Sequence, residues 1–184
     1  MIFAPPRRAT LLAGAAAFAV AACSPVFNWR EVPIGGEAEL VALLPCKPDR
    51  AQRDLLLGSQ PIAVQMIGCE AGGATFAVAQ AGASDAVQAR DWLAAWHSQA
   101  RAQWAGASIE EHVATVPRAA PEPAPLRFEA GAQGAAKPGR MQVHQLWFAH
   151  AQRNGTVSLY QATVLGAPSA PEAVQTFFEG MRLP

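Results

Sequence analysis

The chain has 184 residues, and its 14 Lys and Arg residues balance its 14 Asp and Glu residues, so the formal net charge at pH 7 is zero. This balance provides neither the basic surface that nucleic acid requires nor a block of like charges. The length and the 51% hydrophobic content suit a single domain with a hydrophobic core.

The first 22 residues have the layout of a secretory signal peptide. Arg7 and Arg8 precede an uncharged apolar run at 10–20. This run is shorter than the roughly 20 residues that a helix needs to span a bilayer. Small residues and Cys23 follow it.

The tetrad Val-Ala-Ala-Cys at 20–23 resembles the lipobox of bacterial lipoproteins. The resemblance implies cleavage before Cys23, diacylglycerol on its sulfur and an acyl chain, such as palmitate, on its new amine. Two or more acyl chains anchor a protein stably. Ser24 resembles the residue at this position in lipoproteins sent to the outer membrane. We therefore expect a lipid-anchored, periplasm-facing envelope protein, in the outer membrane rather than the inner one. The alternative is an ordinary signal peptide in which Cys23 is incidental.

This interpretation divides the chain into a signal peptide at 1–22, a lipidated tether at 23–36 and a single domain at 37–184. In the tether, Val26, Phe27 and Trp29 are expected to pack back on the domain. With Cys23 lipidated, Cys46 and Cys69 remain in an oxidising compartment, which predicts a disulfide between them. Closing a loop of about 23 residues would stabilise the fold by roughly 3 kcal/mol. Two buried free thiols are the alternative.

Alternating apolar residues predict strands in the first half of the chain. A strand at 37–44 places Leu40, Ala42 and Leu44 on one face, and two prolines then end it. Residues 54–57 predict a short strand. The strand at 61–69 has Ile62, Val64 and Met66 on one face. A Gly-Gly turn leads to a strand at 74–80 that carries Phe76 and Val78 on one face.

A long helix is predicted at 85–105, with Ser84 as its N-cap. Its apolar stripe follows steps of three and four and comprises Ala89, Leu93, Trp96, Ala100 and Trp104. Trp92 flanks the stripe, and Arg90, His97 and Arg101 fall on the other side. The tryptophans are expected to be core contacts, and Gly106 ends the helix.

The region at 107–139 has a weaker pattern. Residues 109–116 predict either a strand or an irregular piece, and 126–129 a brief pairing. Between them, 117–125 holds four prolines and predicts a loop with polyproline character. A flexible loop is expected at 131–139, and this region is the one expected to meet a partner.

The last part predicts a hairpin and a closing helix. A strand at 141–152 has His144, Leu146, Phe148 and His150 on one face. Asn154-Gly155 predicts a type I′ turn. The return strand at 156–165 is apolar on both sides, which indicates a sheet covered on both faces. The Ser-Ala-Pro-Glu sequence at 169–172 predicts a capping box before an amphipathic helix.

These elements predict an α+β fold with an antiparallel sheet and two main helices. The proline-bearing break at 44–48, the Gly-Ala-Thr-Phe strand start at 73–76, the long helix, the hairpin ending at 160–166 and Phe177-Phe178 together resemble Mog1/PsbP-like domains. The resemblance is one of pattern. It implies an α/β/α sandwich with helices packed on a central antiparallel sheet, and it implies no particular activity.

The sequence provides few candidates for chemistry. It has no Gly-rich phosphate loop, nucleophile elbow, H-E-x-x-H or C-x-x-C motif. In the cluster Glu110-Glu111-His112, neighbouring carboxylates on a strand point apart. His144 and His150 share a strand face about 20 Å apart, too far to hold one metal. Cys69-Glu70 beside two glycines could be read as a nucleophile, but a disulfide explains this cysteine better.

We therefore expect no catalytic site, no metal site and no cofactor. The first functional hypothesis is a non-catalytic envelope lipoprotein that acts as a protein-interaction or assembly module. The second is a lipoprotein that binds a small ligand or a metal, with a pocket between the sheet and the long helix lined by Trp96, Trp104 or Phe148. An unusual enzyme is the third. Apart from the membrane and an envelope protein of unknown identity, no partner is implied, and nucleic acid is not expected.

Overall fold

The computed structural model describes residues 25–35, 40–57, 60–131 and 142–184, which form an α+β fold around a seven-stranded antiparallel sheet. A separate two-stranded sheet and two helices complete it. The fold class predicted from the sequence is therefore confirmed. The signal peptide, Cys23 and residues 132–141 lie outside the described residues.

The elements follow one another in a simple order. The strands are β1 Arg30–Ile34, β2 Leu40–Leu44, β3 Asp49–Leu57, β4 Gln60–Ala71, β5 Ala74–Ala83, β6 Ser108–Val113, β7 Leu126–Gly131, β8 Gln142–Ala151 and β9 Val157–Leu165, and the helices are α1 Ala86–Gln103 and α2 Glu172–Glu179. The large sheet has the order β3-β4-β5-β9-β8-β7-β6, and β1 pairs with β2. Within the described ranges, no helix is both long and apolar enough to cross a membrane.

The large sheet has two faces, each with its own hydrophobic core. The face that carries Phe76, Phe148 and Tyr160 packs against α2, β1 and β2, and we call it the α2 face. The face that carries Val64 and Trp147 packs against α1, and we call it the α1 face. Because β5, β8 and β9 contribute buried residues to both cores, the centre of the sheet is apolar on both sides.

The α2 face is closed by several elements. Phe177 and Phe178 of α2 are buried on it, as are Leu40 and Leu44 of β2. The predicted disulfide joins Cys46 and Cys69, with their Cα atoms 5.9 Å apart. It ties the segment after β2 to β4 on this face.

The segment expected as a tether contributes to the fold. Residues 30–34 form β1, whose Val32 and Ile34 are buried against the same core. Phe27 and Trp29 pack back on the domain as predicted, whereas Val26 is 63% exposed and does not. The strand was missed because its five residues include Glu31 and Pro33, which are poor strand formers.

Three strands differ in extent from their predictions. β3 spans nine residues instead of four, because its charged first half pairs fully with β4 at the edge of the sheet. The ambiguous segment at 109–116 forms β6, which ends at Val113. The brief pairing at 126–129 is the six-residue β7, which joins β6 to β8.

Both predicted helix caps are wrong. Asp85, not Ser84, caps α1, since its carboxylate accepts from the backbone N–H groups of Val87 and Gln88. Ser84 instead donates its hydroxyl to Asp85. The capping box at 169–172 does not form, because α2 begins after Pro171 without a side-chain cap. The backbone N–H of Ser169 is bonded to the Gly72 carbonyl instead.

The β8–β9 hairpin forms at the predicted place with a different turn. Gly155 has a φ of +86°, but Asn154 is not in the left-handed region, so the turn is not type I′. The Gly155 N–H donates to the Gln152 carbonyl, and the Asn154 side chain accepts from Thr156. A type I turn followed by a left-handed glycine is the usual three-residue alternative.

The proline-rich segment is irregular, as predicted, and it is held to the domain. Ala114 and Ala120 donate backbone hydrogen bonds to the carbonyls of Pro125 and Ala149. Val116 is buried in the core of the α2 face. The described part of the region expected to meet a partner therefore lies against the sheet.

Candidate functional site

A cleft lies beside α1, on the part of the α1 face that the helix leaves uncovered. Its volume is about 610 Å³, which lies within the roughly 300–1,000 Å³ of small-molecule sites. Its walls and floor come from α1, β3, β4, β5, β8 and β9. Two cavities beside α2 are smaller, at about 360 and 350 Å³. We call the cavity of about 610 Å³ the α1 cleft.

The pairing register explains why the sheet is hollow at this point. Gln145 of β8 pairs with Thr163 of β9, and Thr163 pairs with Ala77 of β5. Ala77 in turn pairs with Gly68 of β4. Because directly paired residues share a face, this row runs across the α1 face with side chains that shrink from glutamine to glycine, and its first three members line the cleft. The small side chain of Ala77 therefore leaves room for the cleft above β5.

Helix α1 forms one wall of the cleft. Trp96 is 5% exposed and packs edge-on against Trp147, with ring centroids 5.3 Å apart. Trp104, at the C-terminal end of the helix, is half-buried and lines the cleft. Gln99 crosses to the opposite wall and donates its amide N–H to the Leu56 carbonyl of β3. The cleft is thus bounded by a rigid helix and bridged on one side.

The floor contains a buried amide oxygen without a partner. Gln145 is 7% exposed, and its Oε1 accepts no hydrogen bond from any described residue. An unsatisfied buried acceptor costs about 1–3 kcal/mol. Gln145 lines the cleft together with Gln161 and Thr163. A ligand that donates a hydrogen bond at this point would remove that cost.

The lining of the α1 cleft is almost free of charge. Its polar side chains are those of Thr75, Gln99, Gln103, Gln145, Gln161 and Thr163. Arg53 of β3 is the one ionisable side chain among the described residues of the lining. Amides and hydroxyls both donate and accept hydrogen bonds, so this lining offers hydrogen bonds of both kinds.

Next to the cleft, an ionic cluster fixes α1 to the sheet. Arg101 Nη1 lies 2.5 Å from Glu111 Oε1 on β6, and His97 Nε2 lies 3.0 Å from the same oxygen. The His97 contact is not aligned as a hydrogen bond. The His97 ring also packs edge-on against Phe128 and Trp147. His97 was expected away from the apolar stripe, but the helix lies against β6 and turns it inward.

A second polar cluster lies at the edge of the α2 face. Arg127 Nε donates to Glu129 at 3.1 Å, and the guanidinium lies 4.0 Å from the centre of the Phe178 ring. His144 Nδ1 lies 3.4 Å from Glu129. Burial lowers the pKa of Arg127, and Glu129 acts in the opposite direction. The contacts with Phe178 and His144 join β7 to α2 and β8, so the cluster is explained by packing.

The structure separates the other residues that the sequence singled out. Glu111 points to α1, whereas Glu110 and His112 alternate to the opposite face. His150 contacts the Arg118 carbonyl, and His144 contacts Glu129. Within the described ranges, no group of three or more potential ligands could hold a metal ion. Cys69 is in the disulfide, so its thiol is not available as a nucleophile.

The pocket expected between the sheet and the long helix is present, with one error in its lining. Trp96 and Trp104 line the α1 cleft, but Phe148 lies on the α2 face, stacked on Tyr160 at 5.0 Å. Sequence analysis missed the floor residues Gln145, Gln161 and Thr163. One signal in the sequence could have identified them, because β8 and β9 each carry polar residues on a strand face that is otherwise apolar. Only the pairing register shows that these positions lie side by side.

No protein-family model matches this chain, and no curated protein matches it significantly. The class of protein is therefore argued from the fold and from the α1 cleft alone. Those features define a small α+β domain with an open cavity on one side of its sheet, whose described lining has one charged side chain, Arg53.

Proposed function

We propose that this chain is a lipid-anchored, periplasm-facing envelope protein that binds a ligand in the α1 cleft without catalysing a reaction. The unpartnered Gln145 Oε1 on the floor of an open cleft is the observation that carries the proposal. Folded proteins rarely leave a buried acceptor unpaired, and a bound molecule is one of the reasons when they do.

The lining favours binding over chemistry. General acid–base catalysis needs a group that titrates near the working pH, and covalent catalysis needs an activated nucleophile. The described lining offers glutamines, threonines, tryptophans and Arg53. These side chains suit recognition of a ligand, and the two hydroxyls lie on the sheet without an adjacent base in that lining.

Two features of the cysteines support the proposed location. The tetrad at 20–23 resembles a lipobox, which implies an acylated Cys23. The disulfide between Cys46 and Cys69 fits an oxidising compartment. An outer-membrane position, facing the periplasm, agrees with Ser24 after the lipidated cysteine.

The anchor is tested with a single substitution. Cys23→Ala removes the acylated sulfur, so we expect the protein to leave the detergent phase on partitioning, while Cys46→Ala/Cys69→Ala stays in it. Partition of the Cys23→Ala variant into detergent at the level of the unaltered chain would contradict the anchor.

Ligand binding is tested with the full chain in detergent. A small-molecule library is screened by tryptophan fluorescence, and hits are repeated with Trp104→Ala and Trp92→Ala. Both tryptophans are half-buried on α1, but Trp92 lines a separate cavity next to Leu57. We expect hits that Trp104→Ala removes and Trp92→Ala retains. Hits with equal affinity for both variants would contradict the α1 cleft as the site.

A protein-interaction module is the second candidate, and β3 favours it. This nine-residue strand pairs with β4 alone, and residues 49–54 are exposed on both of its faces. Such an edge can accept a strand from another protein. The exposed edge supports this proposal better than the proline-rich segment, which is held against the sheet.

The edge is tested by photocrosslinking in intact cells. A crosslinking amino acid at Gln52 is compared with one at Ala94, an exposed position on α1. We expect one dominant crosslinked protein from Gln52 and background from Ala94. Equal products from both positions would argue against the edge as a docking surface.

A further inference from the structure

We propose that the ligand of the α1 cleft is a neutral saccharide, stacked on Trp104 and hydrogen-bonded to Gln145. This inference rests on the proposed binding function of the cleft and adds the chemical class of its ligand. Three observations lead to it: the charge of the lining, the unpartnered amide oxygen and the shape of the cavity.

The lining selects an uncharged ligand with many hydrogen-bonding groups. Six amide or hydroxyl side chains line the cleft beside one charged group, Arg53. A buried charge without a counter-charge is strongly disfavoured, so ionic ligands are poorly matched to the floor. Sugar hydroxyls donate and accept, as the glutamine and threonine side chains do. The two sets of groups are therefore complementary.

The Gln145 acceptor argues against a purely apolar ligand. Oε1 is already closed to water, and an acyl chain over the floor would supply no donor, so the cost of about 1–3 kcal/mol would remain. A hydroxyl or an acetamido N–H at the same position satisfies the acceptor. The ligand must therefore combine hydrogen-bond donors with an apolar surface.

Trp104 supplies the apolar surface. It is the C-cap residue of α1, half-buried, and it lies on the wall above the polar floor. An indole provides a large, rigid apolar plane. The C–H face of a sugar ring can lie on that plane while its hydroxyls point to Gln145 and Thr163. Trp96 behind it is fully packed and holds the wall in place.

The bridge from Gln99 to Leu56 favours a compact ligand over an extended peptide. It joins α1 to β3 between the α1 cleft and the second cavity, which is lined by Leu57 and Trp92. An extended chain laid along the helix would have to cross this bridge. The cavity of about 610 Å³ on one side of it has the volume of a site for a compact small molecule, such as one or two sugar rings.

The test uses the full chain in a detergent without a sugar headgroup, observed by saturation-transfer NMR of the ligand. The probes are cellobiose and diacetylchitobiose, with a blocked trialanine amide as the peptide comparator. We expect saturation transfer to at least one disaccharide and none to the peptide. Trp104→Ala should weaken binding by about tenfold or more. Gln145→Met, which retains an apolar side chain of similar size, should do the same, and Trp92→Ala should not.

The outcomes separate the two proposals. Trp104-dependent transfer to the peptide alone would overturn the saccharide and leave the binding function of the cleft intact. No transfer to any probe, together with no Trp104-dependent hit in the fluorescence screen, would overturn both. Disaccharide binding that is unchanged by both Trp104→Ala and Gln145→Met would place the sugar elsewhere and contradict the inference.

Discussion

The two faces of the large sheet differ in how completely they are covered. On the α2 face, one helix, the small sheet and the disulfide close over aromatic residues, and Phe76, Phe148 and Phe177 have no exposed surface. On the α1 face, a single helix covers one part of the sheet and leaves the α1 cleft beside it. One sheet therefore has a closed face and a face that keeps an open cleft beside its helix.

Side-chain size along the central strands produces this difference. On β5, Phe76 and Val78 point to the α2 face, while Ala77 and Ala79 point to the α1 face. β9 repeats the asymmetry, with Tyr160 on one side and Gln161 on the other. Helices and strands pack on large apolar side chains to bury them, whereas small and polar side chains leave part of a face uncovered.

The largest expected effect comes from opening the closed face. Phe177 is fully buried and meets Phe76 edge-on at 5.4 Å. Phe177→Ala should lower the free energy of unfolding by about 3–5 kcal/mol, because it removes a buried ring and leaves a cavity. Trp104→Ala, in the open cleft, should cost less than half as much. Thermal unfolding followed by circular dichroism makes the comparison, and equal losses would contradict the division of roles.

The disulfide should contribute next. Cys46 and Cys69 are 23 residues apart in sequence. Replacing both with Ala should cost about 3 kcal/mol by the loop-closure account. Reducing agent should lower the unfolding midpoint of the unaltered chain and leave the double variant unchanged. Labelling of both thiols in unfolded, unreduced protein would show that the bond is absent.

Close packing of α2 on β2 gives a smaller effect. A Cβ at Gly180, just after α2, would overlap the side chain of Leu43. Gly180→Ala should therefore destabilise the fold by about 1–3 kcal/mol through overpacking. Gly82→Ala is the matched control, because a Cβ there meets nothing within 4 Å. If the two variants have the same unfolding midpoint, α2 is not tightly packed on β2.

The smallest effect concerns the start of α1. Hydrogen bonds from the Gln88 backbone, then from Ser84, lower the pKa of Asp85. Since the folded pKa lies below the unfolded one, the stabilisation is present above about pH 4 and is lost as the pH falls through the folded pKa. Asp85→Asn keeps a cap and should lose this pH dependence, whereas Asp85→Ala should lower the midpoint at neutral pH. Titrating unfolding midpoints from pH 7 to pH 2 tests it, and identical profiles for the unaltered chain and Asp85→Asn would contradict it.

Local patterns in the sequence predicted much of the fold. Alternation identified β4, β5, β8 and β9 with their correct faces, and the 3.6-residue period identified the buried stripe of α1. Elements were missed or shortened where stability comes from pairing rather than from composition. β1 contains a proline, and the first half of β3 is charged, but each is held by its neighbouring strand.

The candidate site was only partly predictable. Trp96 and Trp104 follow from helical periodicity, whereas the floor depends on which strands are neighbours and in which register. Phe148 was assigned to the cleft because the sequence does not show which face of β8 meets α1. The sequence likewise does not show whether Ser84 or Asp85 caps α1, because the two differ by only one residue in where the helix begins.

The most direct test of the open cleft is the thermal unfolding midpoint of Gln145→Met in the absence of ligand. We predict a higher midpoint, because removing the unsatisfied buried acceptor should raise the free energy of unfolding by about 1–3 kcal/mol. Gln161→Met, at a half-buried position in the same cleft, serves as the control and should give no such gain. A lower midpoint for Gln145→Met would show that the amide is satisfied within the fold, and it would contradict a floor that is poised for a ligand.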